Sequence, residues 1–191
     1  MHNITKDFEF CYGHRVWTQT LDTELSCDQA CKCRHLHGHQ GKITLNLESH
    51  SLESGMVTDF HHLNWFKAWL DDNFDHKMIM DVSDPLLPTM LTSIFPFIAE
   101  NWVHKECPSH DHMDFYYPDP NKYQKLAPHV IEMLEGLVLV EFIPTSENLS
   151  KFFFWHVQEM ISKRQETFGM GVKIRSVTFQ ETPKTSASYT K

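Results

Sequence analysis

The chain has 191 residues, with 25 Asp and Glu against 17 Lys and Arg, a formal charge of −8. That length predicts one domain (residues 1–191) whose core needs no disulfides, and the acidic balance argues against direct nucleic-acid binding. No apolar run is long enough to cross a bilayer, and the first ten residues lack a signal-peptide core, so a cytoplasmic protein with no membrane partner is expected.

In residues 6–16, Phe8, Phe10 and Tyr12 alternate with polar residues, which predicts a strand whose face continues to His14. Residues 18–28 read as a polar loop. Ile43, Leu45 and Leu47 alternate within a second strand at 41–48, so the two strands are expected to be neighbours in an antiparallel sheet. From Asp59, an N-cap, the period becomes helical through Leu63, Phe66, Trp69 or Leu70, and Phe74, and that helix should stop near Asn73. Prolines then break residues 84–140 into short pieces and set them apart as an insertion. Within it, residues 131–134 and 137–140 are apolar enough to pack, and 108–122 reads as an exposed loop. Thr145 or Ser146 caps a strong helix with a stripe of Leu149, Phe152, Phe153, Val157, Met160 and Ile161. Gly169 and Gly171 end it, and a last strand runs over 172–179. The expected class is α+β.

The chain carries 14 histidines and five cysteines, an odd number that in a reducing compartment favours thiols, metal or catalysis over a disulfide frame. The informative segment is Cys27-Asp-Gln-Ala-Cys31-Lys-Cys33-Arg-His35-Leu-His37-Gly-His39. His37 and His39, two apart at a strand entrance, project from one face, and His14 lies on a matching face of the preceding strand. Three imidazoles leave a fourth position open, the pattern of a catalytic zinc. His-x-His also arises by chance in a histidine-rich chain. Cys27, Cys31 and Cys33 with one histidine offer a competing closed zinc site, and His104, Cys107, His110 and His112 form a further group in the insertion.

Cys33-x-x-x-His37-Gly-His39 resembles the active-site motif of the 6-pyruvoyl-tetrahydropterin synthase family, with the spacing of its 6-carboxytetrahydropterin synthase branch. Five further motifs follow the family's order: Phe8-Glu-Phe-x-x-x-His14-Arg15, Gly55-Met-Val-Thr-Asp59-Phe60, Asp75-His76-Lys77, Pro144-Thr-Ser-Glu-Asn148, and Val177-Thr-Phe-Gln-Glu181-Thr182. The resemblance implies a tunnelling fold, with an antiparallel sheet packed by two long helices and an oligomeric barrel, commonly a homohexamer. It also implies Zn2+ on His14, His37 and His39, and 7,8-dihydroneopterin triphosphate as substrate. In the carboxy branch the products are 6-carboxytetrahydropterin, acetaldehyde and triphosphate, on the route to queuosine; in the pyruvoyl branch the side chain is kept as a diketone. The insertion is longer than most members carry.

On that resemblance, Cys33 is the general base, because a nearby dication favours the thiolate. Asp75 and His76 form the partner acid/base, and Glu181 accepts two parallel hydrogen bonds from the pterin. Thr145 is a pterin contact, although helix capping explains it equally well. A non-catalytic zinc- or pterin-binding module is the contrasting expectation, with Cys33 a packing residue. Arg15, Arg34 and Lys42 are candidates for the triphosphate, since an acidic chain must focus positive charge locally.

Overall fold

In the computed structural model, which describes residues 1–27, 30–107 and 113–191, the alternating aromatic stretch becomes β1 (His2–His14). A short helix α1 (Thr23–Ser26) and a 3-10 turn at Lys32–Arg34 lead to β2 (His37–Ser49). β1 and β2 pair antiparallel along their whole lengths, from His2 opposite Ser49 to His14 opposite His37. Asp59 accepts from the His61 amide and starts a 3-10 turn (Phe60–Leu63) that runs into α2 (Asn64–Asn73).

β3 (Lys77–Asp81), α3 (Leu86–Leu91), β4 (Trp102–Lys105), β5 (Phe115–Pro118), α4 (Pro120–Tyr123), α5 (Pro128–Glu135) and β6 (Leu137–Val140) follow. α6 (Ser146–Lys163), capped by Thr145, then precedes α7 (Gln165–Phe168), β7 (Lys173–Thr182) and β8 (Thr185–Thr190).

The eight strands form one sheet in the order β4-β5-β6-β3-β1-β2-β7-β8. Its half from β1 through β2 and β7 to β8 is antiparallel, as expected. β3 corrects the purely antiparallel sheet: it pairs parallel with both β1 and β6, which long connections through further strands and helices permit where a tight hairpin would not. The expected pair of long helices becomes one of 18 residues, α6, and one of 10, α2. Residues 113–122 are not an exposed loop: Phe115 is 2% exposed and opposite Val140, which draws β5 into the sheet.

The main core lies between the β1–β2–β7 face and the helices. Phe8 meets Phe66 of α2 edge-on at 5.1 Å, Phe10 and Tyr12 meet Phe179 edge-on, and Phe153 of α6 stacks on Phe179 with centroids 6.0 Å apart. A second apolar cluster, around Leu87, Leu91, Phe95, Trp102 and Leu134, lies in the insertion and packs on Met80 and Leu139. Among the described residues, no helix is long and apolar enough to cross a membrane.

Candidate metal centre and active site

Because His14 and His37 are opposite each other across β1 and β2, and His39 lies two residues further on, all three rings emerge from the core face of the sheet. Their centroids are 4.6 Å (His14–His37), 5.2 Å (His14–His39) and 4.8 Å (His37–His39) apart. His14 is 1% exposed. Its Nδ1 lies 2.7 Å from the Pro144 carbonyl, and His37 Nδ1 lies 2.8 Å from the His35 carbonyl. A carbonyl can only accept, so each Nδ1 carries a proton and each Nε2 is left for another partner.

Glu181, reaching in from β7, completes the group. Its Oε1 is 3.2 Å from His14 Nε2 and 3.0 Å from His39 Nε2, and its Oε2 accepts from the Ser146 hydroxyl at 2.9 Å. The four donor atoms lie within 4.8 Å of one another, the only such group of three or more among the described residues. The contact with the His14 ring, helped by the Ser146 hydroxyl, holds the Glu181 carboxyl down to about 2 against the opposing effect of burial. Burial lowers the His39 pKa, the neighbouring imidazoles add to it, and Glu181 opposes. The lowered pKa of His39 favours its neutral form beside the ionised Glu181 carboxylate, the form in which an imidazole binds a metal.

These residues fit a zinc ion. His14 Nε2 and His39 Nε2 are buried without a properly directed hydrogen bond, a costly state for a polar atom that a metal relieves. Three imidazoles and a carboxylate are also a donor set that zinc accepts. Tyr12 supports the ring cluster from the strand below, with its ring 5.1 Å from His14 and 5.7 Å from His39. Gly41 makes room for it, since a Cβ there would meet Tyr12 Cε1 at 2.8 Å.

Asp75 and His76 follow the end of α2. Asp75 Oδ1 accepts from the Cys11 amide at 2.7 Å, and its Oδ2 lies 2.8 Å from His76 Nδ1. Burial raises the Asp75 pKa, but these two hydrogen bonds outweigh it and the net shift is downward. The ionised Asp75 thus fixes the His76 ring and leaves its Nε2 for other partners. His76 holds φ 57, a left-handed conformation that turns the chain from α2 into β3. His76, His37, His39, Cys11 and Gln40 line one open cavity of about 540 Å³.

Cys33, half-buried in its 3-10 turn, is not part of that lining. Its backbone is tied instead to the segment after His14: Val16 donates to the Cys33 carbonyl at 2.7 Å, and the Cys33 amide donates to Gln19 Oε1 at 3.0 Å. Thr145 caps α6, its hydroxyl accepting from the Asn148 amide at 3.3 Å, one residue from the carbonyl that orients His14.

Two triphosphate candidates have other partners. Arg15 Nε is 3.1 Å from buried Asp84, and Lys42 Nζ is 3.5 Å from Asp7; Arg34 lies exposed at the end of the 3-10 turn. Cys27 is exposed, and among the described residues it joins no cluster of donors with Cys31 and Cys33. In the insertion, His104 pairs with Asp114 at 2.6 Å and Cys107 is buried, while His110 and His112 lie outside the described residues. Sequence reading gave Glu181 to the pterin alone. Its place among the histidines arises from β7 pairing beside β2, which no local pattern encodes.

A family model described as 6-pyruvoyl tetrahydropterin synthase matches residues 3–191. The 6-carboxy-5,6,7,8-tetrahydropterin synthase of Aquifex aeolicus is 30% identical over 97% of this chain and 96% of its own length. A protein of Wolinella succinogenes, described as uncharacterized, has a crystal structure 40% identical, with TM-score 0.83 over 100% of this chain and 98% of that one. The 6-pyruvoyl tetrahydropterin synthase of Plasmodium vivax is 14% identical with TM-score 0.54, over 100% of this chain and 99% of that one, a likeness of fold alone.

Proposed function

Since the chain belongs to the 6-pyruvoyl tetrahydropterin synthase family, we propose that it is a zinc-dependent 6-carboxytetrahydropterin synthase. Such a lyase converts 7,8-dihydroneopterin triphosphate to 6-carboxytetrahydropterin, acetaldehyde and triphosphate, and serves queuosine biosynthesis in the cytoplasm. The observation that carries the reading is the convergence of one ring nitrogen each from His14, His37 and His39 with the Glu181 carboxylate, within 4.8 Å of one another, at the end of the β1–β2 pair. The Aquifex aeolicus relative, matched along nearly its whole length, supports the carboxy branch, as does the three-residue gap between Cys33 and His37.

His14, His37 and His39 would hold the zinc, leaving its fourth position to a side-chain oxygen of the substrate. When bound, zinc polarises the substrate's side-chain oxygens and stabilises negative charge that develops beside them. Cys33 acts as general base and takes a proton from the side-chain carbon. His76, steadied by Asp75, exchanges the partner proton through Nε2. Glu181, already ionised, accepts from the ring N–H and exocyclic amine of the pterin. Thr145 shapes the pterin wall by fixing the first turn of α6 beside the Pro144 carbonyl. Assembly is proposed as a homohexamer.

Incubating the zinc-loaded protein with 7,8-dihydroneopterin triphosphate and identifying products tests the reading. Acetaldehyde with 6-carboxytetrahydropterin is expected. A diketone product that keeps the side chain would place the chain in the pyruvoyl branch, and no turnover would leave a binding module.

A further inference from the structure

We infer that Asp81 and Asp84, in the turn that leaves β3, are positioning residues for Cys33, acting through the residues that follow His14. The inference rests on the reading of Cys33 as the general base. Both carboxylates are buried, Asp81 at 5% and Asp84 at 1% exposure, and burying an ionised group is costly unless its oxygens are matched.

The two carboxylates divide their oxygens alike, except that Asp84 meets Arg15 through charge alone, with neither atom in a directed hydrogen bond. Asp81 Oδ1 accepts from the Ser83 amide at 2.8 Å, and its Oδ2 accepts from Trp17 Nε1 at 3.0 Å. Asp84 Oδ1 accepts from the Leu86 amide at 2.8 Å, and its Oδ2 faces Arg15 Nε at 3.1 Å. One oxygen of each thus fixes the turn itself, and the other holds the chain just past the first zinc-type histidine. The anchor is firm because β3 pairs with β1 at that point, Lys77 opposite Tyr12 and Ile79 opposite His14.

The held segment in turn grips Cys33 by both of its backbone polar groups. The Val16 amide donates to the Cys33 carbonyl at 2.7 Å, the Cys33 amide donates to Gln19 Oε1 at 3.0 Å, and the Gln19 amide returns to the Val16 carbonyl at 3.0 Å. Cys33 sits in a three-residue 3-10 turn, an element too short to place a side chain unaided. Its register against the histidines therefore comes from Arg15 and Trp17, and theirs from the two aspartates. A displacement of about 1 Å in a reacting group costs roughly a hundredfold in rate, so such a tether has a catalytic consequence.

The test compares Trp17→Phe, which removes one N–H donor and keeps an aromatic ring, with Asp84→Asn, both as full-length zinc-loaded protein. Amide hydrogen exchange at Val16 and Cys33 is expected to quicken roughly fivefold or more in each variant. The Cys11 amide, held by Asp75, should exchange as in the wild type. With 7,8-dihydroneopterin triphosphate, kcat should fall about tenfold or more while KM stays within about twofold. Unchanged exchange at Val16 and Cys33 would overturn the inference, and so would quickening that includes Cys11 equally, which is general loosening. If Asp84→Asn does not fold, Trp17→Phe alone decides. If wild type gives no turnover, the functional reading fails, while the exchange comparison still decides whether the tether exists.

Discussion

His156, on α6, offers a test of the core that runs independently of any ligand. Its ring lies tilted against Trp69 with centroids 4.2 Å apart and is 5.6 Å from Phe152. Its Nδ1 is buried with no hydrogen-bond partner. Burial pushes its pKa down to about 4; Lys163 adds to that shift and Glu159 opposes it. In the unfolded chain the same ring titrates near 6.5, so between those values the unfolded state binds the extra proton. Stability contributed by the neutral ring is therefore complete above about 6.5 and is lost as pH falls toward about 4.

Working that difference at about pH 5 gives a loss of about 2 kcal/mol from this one group. His156→Phe keeps an aromatic ring against Trp69 and has no proton to take up. Urea unfolding at about pH 7.5 and about pH 5 should show wild type losing about 2 kcal/mol more than the variant, since the other histidines contribute equally to both. Equal losses in the two proteins would refute the reasoning, because His156 would then titrate as freely as an exposed ring.

Cys33→Ala should keep zinc and the fold while turnover falls about 100- to 10,000-fold, as loss of a general base does, with Cys27→Ala and Cys31→Ala close to wild type. Metal analysis beside the rate assay checks this, and zinc loss in the Cys33 variant would make the thiol a ligand. Glu181→Gln removes the charge that faces His14 and His39 and offers an amide N–H₂ to a donor edge. Affinity for 7,8-dihydroneopterin, read by calorimetry, should weaken by about 1.5–3 kcal/mol, or roughly 10- to 150-fold. An unchanged binding constant would remove Glu181 from the pterin site.

The strands that carry the histidines were legible because Phe8, Phe10, Tyr12 and His14 keep a strict period of two, and Ile43, Leu45 and Leu47 do the same. Asp59, Thr145 and the α6 stripe announced their helices through capping and spacing. β3 was not legible: Lys77-Met-Ile-Met-Asp81 is short, nearly all apolar after its first residue, and buried between two strands, so it shows no alternation. β8 was missed for the opposite reason, since Thr185–Thr190 is small and polar and forms through its pairing with β7. β5 sits among prolines and tyrosines that read as a loop, and its pairing with β4 on one side and β6 on the other makes it a strand.

The site divides in the same way. His14, His37 and His39 could be placed together from local spacing and one strand pairing. Glu181 reaches them from a strand more than 140 residues beyond His39 in the chain, and Arg15 looked available for phosphate because Asp84 approaches it only in three dimensions.

The proposed function stands on zinc at His14, His37 and His39 supporting turnover of the pterin triphosphate. Stripping the protein of metal, returning zinc in steps and following acetaldehyde release tests it directly, with His37→Ala titrated in parallel. Activity is expected to rise in proportion to zinc and saturate at about one ion per chain, and His37→Ala is expected neither to retain the ion nor to recover turnover. Full acetaldehyde release by the metal-free protein, or by His37→Ala with zinc bound at full occupancy, would contradict it.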